Sequence, residues 1–241
     1  MLSKNEVKYI QSLCQKSQRE EDRLFIAEGT KLVDELLASD FSITKIYAIQ
    51  EWIAAHPHVP NVTAVTDSEL ARISNLKTPN QVLAIASQRV PTAEPVLKNR
   101  LTLVLDDIQD PGNFGTIIRI ADWFGITQII AGKGTVELYN PKVIQSTMGS
   151  FLRVTCWYRL LPEFLRQTHI PVYGALLNGN NLYSEPPVSE GLLLIGNESK
   201  GISEALLPLI SHPVSIPRFG GAESLNAAVA TGIIVSHLLN R

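Results

Sequence analysis

The 241-residue sequence predicts an α/β fold in two parts, a smaller amino-terminal domain and a carboxy-terminal domain built on a parallel sheet. Three observations predict it. Apolar runs of strand length alternate along the chain with stretches whose apolar residues recur at helical spacing. Runs such as Leu192-Leu193-Leu194-Ile195 are apolar without alternation, as in strands covered on both faces of a parallel sheet. Between Gln88 and Lys98, Pro91 and Pro95 deny the chain both helix and central strand, and little there is fit to be buried. The expected organisation is an amino-terminal domain over 1–90, a linker over 91–98 and a second domain over 99–241.

The elements follow in order. Val7, Ile10, Leu13 and Cys14 mark a helix, and Leu24 to Ala27 a strand that stops at Glu28-Gly29. Thr30 starts a helix with Leu32, Val33, Leu36 and Leu37 on one face. Strands are expected over 43–49, 62–65 and 82–86. Thr66-Asp67-Ser68-Glu69 is a capping box opening a helix through about Leu76. In the second part, strands are expected over 101–105, 128–131, 172–176, 192–195 and 214–216. Helices are expected over 115–124, 141–148, 161–168, 203–209 and 224–239.

Composition narrows the function classes without choosing one. Hydrophobic residues make up 45% and charged residues 18%, an ordinary globular balance. No apolar run has membrane-spanning length: Ala227 to Leu239 is interrupted by Thr231, Gly232, Ser236 and His237. The start turns polar at once and has no signal-peptide core. Cys14 and Cys156 show no metal-type spacing and read as free thiols in a reducing compartment, so a cytoplasmic location is expected. Net charge is −2, with 10 Lys+Arg against 12 Asp+Glu in residues 1–97 and 11 against 11 thereafter. Charge alone therefore does not announce a nucleic-acid partner, which usually calls for a basic surplus.

Three loops at strand ends carry the chemistry, because ligands of open parallel sheets bind beyond the carboxyl ends of strands. The first is Leu105-Asp106-Asp107-Ile108-Gln109-Asp110-Pro111-Gly112-Asn113-Phe114-Gly115, leading into a helix that carries Arg119. Here Pro111-Gly112 is read as a turn, and Asn113 either caps the helix or points its amide into the cleft. Asp106, Asp107 and Asp110 read as caps and turn carboxylates in preference to a metal site. Taken alone, Arg119 is a surface arginine or a partner of Asp122. The second loop, Gly196-Asn197-Glu198-Ser199-Lys200-Gly201, has glycine at both ends and lacks the spacing of a phosphate loop. The third, Ile216-Pro217-Arg218-Phe219-Gly220-Gly221-Ala222-Glu223-Ser224-Leu225-Asn226, opens the last helix, which either Ser224 or Asn226 caps.

Together, Asn113-x-Gly-x-x-x-Arg119, Gly196-Asn197-Glu198-x-x-Gly201 and Ile216-Pro217 followed by Glu223-Ser224-Leu225-Asn226 resemble the three motifs of the SpoU/TrmH RNA ribose 2′-O-methyltransferases in order, spacing and placement. Asn140-Pro141-Lys142-Val143 and Met148-Gly149-Ser150-Phe151-Leu152-Arg153 resemble that family's middle segment. Phe25-Ile26-Ala27-Glu28-Gly29-x-Lys31-Leu32-Val33 resembles its amino-terminal RNA-binding domain. Gln145 departs from the pattern, standing where many relatives have arginine.

The resemblance implies a deep trefoil knot in the second domain, a homodimer formed through it, and S-adenosylmethionine as methyl donor with no metal. It implies cofactor contacts at Gly196, Ile216 and Leu225, with Asn197 and Leu176 beside them. It implies catalytic roles for Arg119, Asn113, Glu198, Ser224 and Asn226. Because a guanidinium does not give up its proton, Arg119 is read as a clamp on the neighbouring phosphate and nascent alkoxide, and the proton acceptor stays open. The implied substrate is structured RNA, ribosomal RNA ahead of tRNA. The reading of a different class is an RNA-binding or assembly protein that keeps the fold without transferring methyl groups. A base methyltransferase on the same fold is a further alternative. A Rossmann dehydrogenase is disfavoured, since no G-x-G-x-x-G follows Leu101–Leu105.

Overall fold

A computed structural model describes residues 1–240, which divide into two compact units, 1–90 with 137–152 and 91–136 with the chain from 153 onward. The first unit opens with α1 (Lys4–Ser12) and α2 (Lys16–Asp22), followed by β1 (Leu24–Glu28) and α3 (Thr30–Leu37). Next come β2 (Ile43–Ala48), α4 (Gln50–Ala55), β3 (Val62–Ala64), α5 (Asp67–Ile73) and β4 (Val82–Ser87). The sheet order is β1-β4-β2-β3; β4 runs antiparallel to both neighbours and β2 pairs parallel with β3.

Two capping boxes fix helix starts in this unit. Ser3 and Glu6 exchange side-chain and backbone hydrogen bonds at α1, and Thr66 and Glu69 do so at α5. Glu69 also accepts from the Leu2 amide at 2.7 Å, and the backbone N–H groups of Thr66 and Leu2 hold its carboxyl below the usual range. Leu2, Ile10, Leu13, Ile26, Leu70, Ile73 and Leu83 form one buried cluster. Helix α2 was not foreseen. Its sequence, KSQREED, has no apolar stripe, and its buried side chain is Arg19, which donates to the Leu13 carbonyl at 2.8 Å and pairs with Glu137. Helix α4 was likewise unforeseen. Glu28 is buried and takes hydrogen bonds from the Ser74 hydroxyl and, at 3.0 Å, from the Asn75 amide, tying the end of β1 to the turn after α5. Also in this unit, α7 (Pro141–Thr147) is capped by Asn140.

The second unit contains β5 (Leu101–Leu105), α6 (Pro111–Trp123), β6 (Gln128–Gly132), β7 (Thr155–Arg159) and α8 (Leu161–Gln167). After these come β8 (Val172–Asn181), β9 (Gly191–Ile195), β10 (His212–Ser215) and α9 (Ala227–Leu238). Six strands pair in the order β10-β8-β9-β5-β6-β7, and every pairing is parallel. The expected α/β fold with a parallel sheet is present. All residues of β5, β6 and β9 are buried, as strands covered on both faces must be. Cys156 lies within β7, where burial pushes its thiol up to about 12, far from thiolate reactivity at neutral pH.

Three local expectations need correction. The helix expected over 203–209 is a turn followed by a 3-10 segment at Leu207–Leu209; Pro208 offers no amide to continue it, and the Ser203 amide is bound to Asp106 Oδ2 at 2.7 Å. Pro111-Gly112 is no turn but the first turn of α6, with Pro111 at the position where its missing N–H is harmless. The last helix starts at Ala227, not Ser224.

Candidate active site

Sheet order decides which loops meet. β5 and β9 are adjacent, with Leu105 opposite Ile195, so the loops beginning at Asp106 and Gly196 leave the sheet side by side. From β5 the chain proceeds to β6 on one side, while β9 and β8 lie on the other, and this reversal of strand order opens a crevice for ligands.

The two loops are clasped together. The Asp106 amide donates to the Ile195 carbonyl at 2.8 Å, and Asn197 Nδ2 donates to the Asp107 carbonyl at 2.8 Å. Asn197 Oδ1 accepts from the amides of Ser199 and Lys200 at 2.9 and 3.0 Å. Asn197 and Gly201 exchange backbone hydrogen bonds at 3.0 and 2.9 Å, closing a tight turn with Gly201 at φ +70°. The Asn197 amide thus serves the scaffold, its oxygen holding its own loop and its nitrogen tying that loop to the one after β5. Gly196 lies so near the return of this turn that a Cβ would stand 2.3 Å from Gly201 C and Ile202 N.

Asp110 caps α6, accepting from the Asn113 amide at 2.8 Å, so Asn113 sits inside the first turn with its side chain free for other work. That side chain joins two other loops: Asn113 Nδ2 donates to Glu198 Oε1 at 2.7 Å, and Asn113 Oδ1 accepts from Asn226 Nδ2 at 2.8 Å. The direction of this relay is forced. Asn226 caps α9, its Oδ1 accepting from the Ala228 and Val229 amides at 3.0 and 3.2 Å, so only its NH₂ faces Asn113. Asn113 must then present oxygen to Asn226 and NH₂ to Glu198. The helix cap orients a carboxylate two residues away through an amide chain. No hydrogen bond is made to Glu198 Oε2 among the described residues.

A cleft of about 650 Å³ opens over this relay, lined by Gln109, Asp110, Asn113, Asn197, Glu198, Ser199, Lys200 and Asn226. The structure therefore gathers Asn113, Asn197, Glu198 and Asn226 of the residues singled out from sequence, with Gly196 at the root of the same loop. Gln109, Asp110, Ser199 and Lys200 were missed as lining residues; the one local signal was Asp110 three residues before Asn113 and next to Pro111, a helix-start pattern. Ser224 is exposed and makes no hydrogen bond among the described residues, and Leu176 packs against the core cluster of Leu192 and Leu194. Arg119 does not line the cleft. It is exposed and makes no hydrogen bond or ion pair among the described residues, because Asp122 is engaged by Arg153 at 2.8–3.0 Å.

The residues present fit an adenosyl ligand. Leu177 and Leu225 are apolar yet 76% and 48% exposed, one in β8 and the other just before α9, and Ile216 is half-buried after β10. Accessible apolar side chains on these elements, together with bare backbone at Gly196, are the group types that binding a flat base with a few backbone hydrogen bonds calls for. A Gly196→Ala substitution is expected to weaken binding of S-adenosylhomocysteine in calorimetry. Overpacking of this kind should also lower Tm by roughly 3–10 °C.

Comparison with known proteins agrees with this geometry. The SpoU rRNA Methylase family profile matches residues 100–236, and the MRM3-like substrate binding domain profile matches residues 4–84. The chain is 34% identical over 238 residues to the 23S rRNA (guanosine(2553)-2'-O)-methyltransferase RlmP of Bacillus subtilis, covering 96% of this chain and 95% of that protein. The AdoMet-bound rRNA methyltransferase from Sinorhizobium meliloti superposes with a TM-score of 0.87 at 31% identity, covering 100% of this chain and 96% of that one. The SpoU methyltransferase AviRb from Streptomyces viridochromogenes, at 23% identity, shares the fold with a TM-score of 0.86. This chain belongs to the SpoU rRNA Methylase family.

Proposed function

We propose that this protein transfers a methyl group from S-adenosylmethionine to a ribose 2′-oxygen of ribosomal RNA. The observation that carries the reading is the Asn226–Asn113–Glu198 relay at the crevice of the parallel sheet, in a chain of this family. When bound, S-adenosylmethionine supplies a methyl carbon made electrophilic by its sulfonium. The chain's own groups do the rest. Gly196, Ile216 and Leu225 hold the adenosyl moiety, with Asn197 shaping the loop and Leu176 backing the wall. Asn113, Glu198, Asn226 and Ser224 position the ribose. Arg119 clamps the adjacent phosphate and so fixes the attacking oxygen in line with the methyl carbon, and this alignment carries much of the rate.

Two copies pair through the second unit in this reading. Along α6, Thr116, Arg119 and Trp123 form an exposed stripe, with Trp123 86% exposed, and Val229 is exposed on α9. Burying a tryptophan that large against a second copy is favourable, and the same stripe would deliver Arg119 toward the neighbouring copy's cleft. The knotted topology of the family is assigned to residues 99–241. Supporting it are the strand order and the tight passage at Gly179, whose Cβ would lie 2.6 Å from Val214 C. Residues 1–90 form the RNA-binding domain, 91–98 connect it to the catalytic domain, and the setting is cytoplasmic, where ribosomal RNA is found. Mapping ribose methylation across ribosomal and transfer RNA, in cells with and without the gene, tests the proposal. Loss of one ribosomal site is expected; an unchanged map would leave the RNA-binding alternative standing.

A further inference from the structure

We infer that Glu198 takes the proton of the attacking 2′-hydroxyl. The inference rests on the methyltransferase reading and assigns the one role that reading leaves open. Of the side chains lining the cleft, three are ionisable: Asp110, Glu198 and Lys200. Lys200 is exposed, and as an ammonium it has only donors to offer. Asp110 spends Oδ1 on the cap of α6, where it accepts from the Asn113 amide at 2.8 Å. Gln109, Asn113, Asn197, Ser199 and Asn226 are neutral and poor proton acceptors. Arg119 cannot accept a proton as a guanidinium. Glu198 remains. One of its oxygens is pinned by Asn113 at 2.7 Å, while the other has no donor among the described residues and the residue is half-buried on the cleft wall.

A carboxylate is basic enough for this step because the hydroxyl need not ionise first. As the ribose oxygen bonds to the methyl carbon, the carbon–sulfur bond breaks and its electron pair stays on sulfur. The oxygen then carries positive charge, and its proton becomes strongly acidic. That proton passes to Glu198 Oε2, leaving a methyl ether, a neutral thioether and a carboxylic acid that releases its proton to solvent. The relay explains why the acceptor stays in place. Asn113 restrains one oxygen and the α9 cap restrains Asn113, so the second oxygen is held toward the cleft without a competing bond.

Glu198→Gln tests this, because the amide oxygen still accepts from Asn113 while the proton-accepting oxygen is gone. Single-turnover transfer from tritiated S-adenosylmethionine to ribosomal RNA from gene-deleted cells should fall about 10²–10⁴-fold, the usual worth of a positioned base. Calorimetric binding of S-adenosylhomocysteine should stay unchanged, and Glu198→Asp should retain part of the rate. The unaltered protein should lose rate toward acid with the uptake of one proton. The residual rate of Glu198→Gln should lack that acid limb, even with Asp110 and Lys200 still in the cleft. Near-normal transfer by Glu198→Gln, or an acid limb that survives in it, would overturn the inference alone. Absence of transfer by the unaltered protein would take down the methyltransferase reading with it.

Discussion

Arg119→Ala is expected to reduce methyl transfer to background, about 10²–10³-fold, while leaving the folded protein and its cofactor site intact. The structure isolates the effect unusually well. Arg153 already holds Asp122, and Arg159 pairs with Glu94, whereas Arg119 is exposed with no partner of its own among the described residues. Truncating such a side chain should move stability by no more than about 0.5 kcal/mol, so melting curves should nearly superimpose. Binding of S-adenosylhomocysteine should also persist, since Arg119 is absent from the cleft lining. What disappears is a charge-assisted contact to phosphate, and with it the alignment of the attacking oxygen. Arg119→Lys should recover little, because an ammonium keeps the charge but not the planar fork. Mixing Arg119→Ala with a cleft-dead Asn113→Ala variant probes the assembly directly. If each copy's arginine serves its neighbour, mixed dimers regain one working site and transfer reappears. Full activity in Arg119→Ala alone would remove the residue from the mechanism.

The fold was readable from sequence where pattern and structure share a cause. The apolar runs at Leu103–Leu105 and Leu192–Ile195 lie in central parallel strands because only doubly covered strands need no polar face. Thr66 with Glu69 announced α5 through a local exchange of hydrogen bonds that needs no tertiary partner. Failures came where long-range contacts decide. Helix α2 forms around a buried Arg19 whose counter-charge, Glu137, lies 118 residues away, and no helical stripe signals that. Residues 137–152 belong to the first compact unit, which no composition change marks. At the site, motif order indicated which residues matter, but not their bonding. That Asn226 is at once a helix cap and the end of a relay depends on α9 starting beside α6. Likewise, Asn197 reads as a ligand residue in one dimension, yet its amide is fully used in holding its own loop to Asp107.

That double duty of Asn226 allows stability and chemistry to be separated. Asn226→Ala should lose both: about 1 kcal/mol from the uncapped α9, and transfer from the broken relay. Asn226→Asp should lose only transfer. The introduced carboxylate still accepts from the Ala228 and Val229 amides and gains from the positive end of α9, so Tm should match or exceed that of the unaltered protein. Its second oxygen, however, would meet Asn113 Oδ1 where Asn226 Nδ2 now stands at 2.8 Å. Asn113 must either leave or turn over, and turning over presents its oxygen to Glu198 in place of the NH₂ now bonded at 2.7 Å. Either way the Glu198 carboxylate loses the Asn113 donor and its fixed direction. Transfer by Asn226→Asp should therefore fall as far as in Asn113→Ala. The double variant should be no worse than either single one, because the three side chains act as one unit and their losses do not add. Rates and melting temperatures measured side by side decide it: an active, stable Asn226→Asp would show that the relay is a structural coincidence and that helix capping is all Asn226 does.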